Sequence, residues 1–345
     1  MKRTSLLLIP ILLIALLLCS CNADAQDGIF SAIADSAPDA GIKVQAYLGS
    51  LNAEKSHYVL TDSGVYVIGN STGFTPILSS SDAQIRNACL LIDSPLYLYT
   101  LVSKQGSETG EDSKLLRYYA VSGTYEAEAD SNVKWLTTNG IYYTETETEN
   151  AIHLLHSYKS IVLDGKVTTK VESEDYVLVE ELKDSTKTFR IYSSKTGEIL
   201  AVTRPDSLSG QVVGFQVIDD SNFLIVVKSG STYDIYSLSS TEVKDTGVNL
   251  SSTPENGTIH SFHYTNDGKN YVAFKAAQYF DLLTIDGSEY SISTISTAGY
   301  ATKLRTASVS NIVPSNTAGK FIVATWNNSI WEITPTLTDD PVEIK

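Results

Sequence analysis

The chain has 345 residues, 42% of them hydrophobic, with mean hydropathy near zero, enough apolar material for one large globular unit or two ordinary domains. Forty acidic against 25 basic residues give a net charge of −15, which disfavours nucleic acid as a partner and permits, without requiring, a basic protein or polyamine. Twenty tyrosines, a single methionine and frequent alternation of apolar and polar side chains predict strands rather than helices.

The chain opens on Lys2 and Arg3, followed by an apolar run from Leu6 to Leu18 broken only by Pro10. That length suits an export signal, since a spanning helix needs roughly 20 apolar residues. The run ends Leu18-Cys19-Ser20-Cys21, which resembles the lipobox of bacterial lipoproteins: an aliphatic residue at −3, a small one at −1 and Cys at +1. The resemblance covers only the leader. It implies that Leu18 and Ser20 are read by the signal peptidase, that cleavage falls between Ser20 and Cys21, and that Cys21 takes a diacylglyceryl thioether and an N-acyl chain such as palmitate. Cys19 departs from the pattern, but as the modified residue it would leave Leu18 at −1, too large for that position. The competing reading is a secretory signal cleaved at Ala23-Asp24-Ala25.

Two or three acyl chains meet the requirement for stable anchoring, so the membrane is an expected partner through Cys21. Asn22, where an Asp would retain a lipoprotein at the inner membrane in some enveloped bacteria, points to the outer membrane or cell surface. Beyond the leader, 23 basic residues face all 40 acidic ones, and the resulting net charge of −17 holds the body off anionic headgroups. With Cys19 removed and Cys21 acylated, Cys89 has no thiol partner and is expected to pack as a small buried apolar side chain. The expected organisation is a signal peptide over 1–20, a tether over 21–45 with a short helix at 29–34, and one folded domain over 46–345.

That domain reads as short strands punctuated by Ser-Gly, Asn-Gly and Asp-Gly turns. Second-strand aromatics fall at Tyr58, Tyr97, Tyr142, Tyr176, Phe223, Tyr271 and Phe321, an average spacing of about 44 residues, which is the length of a four-stranded propeller blade. The prediction is an all-β propeller of about seven blades, with six to eight open; a pair of β-sandwiches would not need this period. The clearest units assign strands to 212–218, 223–227, 233–238 and 239–244, then to 259–264, 271–274, 280–285 and 289–293. Within the second unit, Tyr264-Thr265-Asn266-Asp267-Gly268-Lys269-Asn270-Tyr271 resembles the repeat of TolB-like and WD-like propellers, whose Asp-Gly-Lys turn joins the first two strands of a blade. The resemblance covers one blade. Whether residues 342–344 pair with the N-terminal strand to close the ring stays open.

Signatures of chemistry are sparse. Neither a P-loop, a dinucleotide fingerprint nor a Gly-x-Ser-x-Gly elbow occurs, and no cofactor is expected. His153 with His156, and His260 with His263, are three apart; on strands such pairs point to opposite faces and do not chelate. Glu145, Glu147 and Glu149 are read as one face of an exposed strand that resists edge pairing. Trp326 and Trp331 flank a turn, where exposed aromatics could stack on a ligand, with core packing as the plainer alternative. With no catalytic residue and no metal site assigned, the expected role is a protein-binding or scaffold module, not an enzyme. The alternatives are a receptor for a glycan or small ligand, and an enzyme acting on polysaccharide, which would bring two carboxylates and a Tyr together at the channel mouth.

Overall fold

Each of the seven aromatic positions falls in the second strand of its own four-stranded antiparallel sheet in the computed structural model. The structure describes residues 43–51, 56–69, 73–79, 83–92, 95–104, 113–250, 258–275, 279–296, 308–326, 330–336 and 341–344. The leader and residues 21–42 of the expected tether, Cys21 among them, lie outside these residues, while residues 44 and 45 of that span open the first strand, Val44–Leu51. Within them the chain is a seven-bladed β-propeller without helices, its blades spanning 44–79, 83–131, 133–163, 166–203, 211–249, 261–296 and 309–344.

Why the sheets stack is visible in blade five. Its second strand, Phe223–Ser229, opens with five buried apolar residues, and successive side chains point to opposite faces. Phe223, Ile225 and Val227 pack into the seam with blade four, whereas Leu224 and Val226 pack into the seam with blade six. Among the described residues there are seven such apolar clusters, one at each seam around the ring. Each buried Val, Leu, Ile or Phe contributes about 1.5 to 3 kcal/mol, so adjacent blades hold one another upright. Cys89 lies in the seam between blades two and three, fully buried, and burial pushes its thiol pKa up.

Turn chemistry follows local rules where the two-residue turn is strong. Asp267 and Gly268 both adopt positive φ, as a tight hairpin demands, and join Ser261–Asn266 to Lys269–Lys275. Two expectations are corrected. The alternating stretch from Thr144 is not a single strand: Ile141–Glu145 ends there, and Thr146 accepts bonds through Oγ1 from the amides of Thr148 and Glu149 and turns the chain. Glu147 and Glu149 thus sit in a turn, while Glu145 pairs with Lys166 at 2.7 Å. In blade five the fourth strand is Val243–Asn249, because Ser239 caps a turn over 239–242.

Every sheet is built from contiguous chain, and Val342–Ile344 pairs within blade seven, with Ile330–Ile333. The ring therefore closes without a strand exchanged between its ends. At that closure Asn311 on Val309–Pro314 bonds the backbone of Tyr47 on Val44–Leu51: the Tyr47 amide donates to Oδ1 at 3.0 Å, and Nδ2 donates to the Tyr47 carbonyl at 3.1 Å. Val44, Tyr47, Val59 and Ile68 of blade one pack there against Ile322, Ala324 and Ile330 of blade seven.

Candidate functional site

The first strands of the blades surround a central channel that holds a cavity of about 590 Å³, within the range of ligand pockets. On the side of blades two to four, Asn87, Thr138, Glu172 and Glu174 of its wall are spent on joining blades. Asn87 donates to the Leu136 carbonyl at 2.6 Å, and the Thr138 amide donates to Glu172 at 2.9 Å. Gln216 donates to Glu174 at 3.1 Å and accepts from Ser261 at 2.8 Å, linking blades four, five and six. Glu174 has φ of +50°, the left-handed region that costs a non-glycine residue energy. Burial raises its pKa, against the opposing bond from Gln216.

At the end of the ring carrying the turns between first and second strands, the channel opens into a second cavity of about 370 Å³. Tyr47, Asn139, His156, Glu174 and an ion pair between Lys195 and Asp175 at 2.5 Å surround it. The Tyr47 hydroxyl meets His57 Nδ1 at 3.1 Å. Burial pushes the Tyr47 pKa up to about 12.

The same end carries an exposed aromatic sector on blades two and three. Antiparallel meanders put the turns between third and fourth strands here too. Tyr119 and Tyr125 flank one such turn, and Tyr158, 76% exposed with φ of +52°, tips the next. Tyr97 packs against Tyr119 at 5.6 Å, and Tyr118 meets Tyr125 edge-on at 5.7 Å. The Arg117 guanidinium lies 4.8 Å over Tyr97 and bonds Glu126. Ile92 and Val121 are exposed at the same end.

The structure separates the two tryptophans. Trp331, 4% exposed, packs in the core between blades six and seven, while Trp326 is half-buried and lines the channel. His153 stacks on Tyr142 at 4.5 Å and bonds Thr144 and Ser160, with His156 in the following turn. His260 lines the channel, where burial pushes its pKa down to about 4, whereas His263 bonds Asn270 at 3.0 Å. Among the described residues no group of His, Cys, Asp and Glu is arranged to hold a metal ion. Cys21 and Ser20 lie outside the described residues. Sequence reasoning did not find the Tyr119, Tyr125 and Tyr158 sector, because a tyrosine in an alternating strand reads the same whether its ring is covered or exposed.

No protein-family model and no curated protein matches this chain. Solved structures do. A prolyl endopeptidase superposes with a TM-score of 0.53 at 12% identity, covering 96% of this chain and 52% of that one. KlAtg21, solved with the coiled coil of AgAtg16, gives 0.52 at 10% identity, covering 88% of this chain and 98% of its own. PorZ, a surface component of the type-IX secretion system of Porphyromonas gingivalis, gives 0.47 at 12% identity, covering 88% and 38%. What is shared is the fold. The chain spans about half the length of the prolyl endopeptidase and under two fifths of PorZ.

Proposed function

We propose that this chain is a lipid-anchored envelope protein whose propeller, of degenerate TolB-like or WD-like type, presents a protein-binding face at the end carrying Tyr119, Tyr125 and Tyr158. The observation that carries the binding role is this sector: five large hydrophobic side chains, Ile92, Tyr119, Val121, Tyr125 and Tyr158, are exposed at one end of the ring on adjacent blades. Contiguous exposed apolar surface marks interaction sites, and Tyr is enriched among residues that dominate binding energy. The Leu18-Cys19-Ser20-Cys21 motif supports the anchor, and Asn22 after it supports a place at the outer membrane or cell surface. The enzyme alternative draws little support from a channel whose carboxylates already accept bonds from Thr138 and Gln216.

The test places a photo-crosslinking residue at Tyr158 and, as control, at Val162, exposed on the outer strand Lys159–Leu163. In intact cells Tyr158 should yield a discrete crosslinked species that Val162 does not, and that Tyr119→Ser with Tyr125→Ser abolishes. Equal crosslinking from both positions, or none from Tyr158, overturns the binding face. Labelled palmitate incorporated by the parent chain and not by Cys21→Ser tests the anchor; incorporation by Cys21→Ser overturns it.

A further inference from the structure

The channel has two chemically different walls. Toward blades two to four, Asn87, Glu172 and Glu174 are consumed in bonds between blades. Toward blades five, six, seven and one Asn311 is held by Tyr47, but the other polar side chains are unspent among the described residues. Gln211 enters from blade five, His260 from the segment leading into blade six, Ser310 and Trp326 from blade seven, and Gln45 from blade one. Ser310 is 9% exposed, and its Oγ has no hydrogen-bond partner. The side chains of Gln45, Gln211 and His260 make no hydrogen bond among the described residues. A buried hydroxyl left without a partner costs about 1 to 3 kcal/mol, which a ligand accepting or donating there recovers.

These residue types define the ligand. Two amides, a hydroxyl and an uncharged imidazole supply neutral donors and acceptors, and a half-buried indole supplies an apolar stacking surface beside them. No carboxylate or ammonium group belongs to this wall; the charged groups of the cavity lie on the opposite side, where Arg86 bonds Ser103, Lys170 sits over the Trp135 ring, and Glu172 and Glu174 accept from Thr138 and Gln216. A molecule with hydroxyls around its edge and an apolar face satisfies both features, and a sugar ring has that form. We infer that the channel wall built by Gln45, Gln211, His260, Ser310 and Trp326 binds a neutral oligosaccharide. This site is separate from the tyrosine sector at the other end and does not depend on it.

The full chain, purified in detergent, is titrated with tri- and tetrasaccharides of glucose, galactose, mannose and N-acetylglucosamine, read by calorimetry and tryptophan fluorescence. At least one should bind, and Gln211→Ala and Trp326→Phe should each weaken it about tenfold at unchanged melting temperature, while Tyr158→Ser leaves it unchanged. Gln211 is exposed at the channel wall, so its truncation keeps the test decisive if Trp326→Phe misfolds. Absence of binding at about 10 mM by every sugar, affinity that neither channel variant lowers, or tighter binding of a uronic-acid oligosaccharide would overturn the assignment.

Discussion

Two seams of the ring solve the same problem differently. Between blades four and five the chain runs on through residues 204–210, and thirteen buried apolar side chains join the sheets. A buried charge cluster sits beside them. Arg204, 8% exposed, bonds Glu180, itself 2% exposed, donates to the carbonyls of Leu208 and Gly210 and covers the Phe189 ring at 5.6 Å. Between blades seven and one no chain passes, and seven buried apolar residues are shared among the described ones. There Asn311 acts as a short piece of strand, its amide giving and taking one bond each with Tyr47. Asn316 adds a further bond, to Ser50 Oγ. Where the covalent chain already limits separation, the fold tolerates the cost of buried charge; where it does not, neutral amides on bulged strands close the gap.

The largest effect should come from breaking the charged seam. Arg204→Ala leaves Glu180 buried with Lys187 at 2.9 Å as its remaining cation and strips two carbonyls of their donor, and should cost about 3 to 5 kcal/mol in chemical denaturation. Replacing both partners, Glu180→Leu with Arg204→Met, should recover most of that loss, because apolar groups of similar size do not need pairing. A double variant no more stable than Arg204→Ala would mean that the cluster is held by more than charge burial.

Gly210 tests the covalent link of the same seam. Its φ is +106°, and an added Cβ would lie 2.3 Å from the Lys228 carbonyl oxygen. Gly210→Ala should cost about 2 kcal/mol, while Gly268→Ala, with φ of +75° and open space around it, should cost about 1. Similar midpoints for the two variants would show that the loop shifts and the seam does not depend on its fit.

At the open seam, Asn311→Ala removes both bonds to Tyr47 and should cost about 1 to 2 kcal/mol. The sharper reading is local: hydrogen exchange at the Tyr47 amide should accelerate well before exchange at Val177 in the core of blade four. Parallel acceleration at both positions would make the ring open as one unit and erase the contrast between seams.

How far residues alone announce this architecture depends on the range of the signal. The second-strand aromatics repeat because every blade places its second strand between two neighbours, so Tyr58 through Phe321 marked seven sheets without any knowledge of contacts. The Asp267-Gly268 turn was legible because positive φ at both positions restricts the residue choice. The Thr144 to Glu149 stretch misled because a side-chain hydroxyl, not the alternation, decided where the strand stopped. The channel wall was beyond reach: Gln45, Gln211, His260 and Ser310 share no local motif and meet only when the ring closes. His260 was singled out only as a failed chelate with His263, and Trp326 on grounds that could not separate it from the buried Trp331.

Acid should separate the two seams most finely. His57 meets the Tyr47 hydroxyl at the open seam, facing Glu332, which is paired with Lys320 at 2.8 Å. Burial lowers the His57 pKa below 6.5 and outweighs the opposing pull of Glu332. The folded state thus favours the neutral ring, and the stability it contributes is present above pH 6.5 and is lost as pH falls from there through the lower folded value. At the charged seam burial raises the Glu180 pKa, but bonds from Lys187, Arg204 and Thr168 outweigh it, leaving the carboxyl below 4.5. Its contribution persists until pH falls below 4.5 toward the folded value. Between pH 6.5 and 4.5, the protection of the Tyr47 amide relative to its intrinsic exchange rate should therefore fall while amides around Glu180 keep theirs, and His57→Gln should flatten the Tyr47 response. A Tyr47 response that survives His57→Gln would move the acid sensitivity to another group and leave the open seam as insensitive to pH as the charged one.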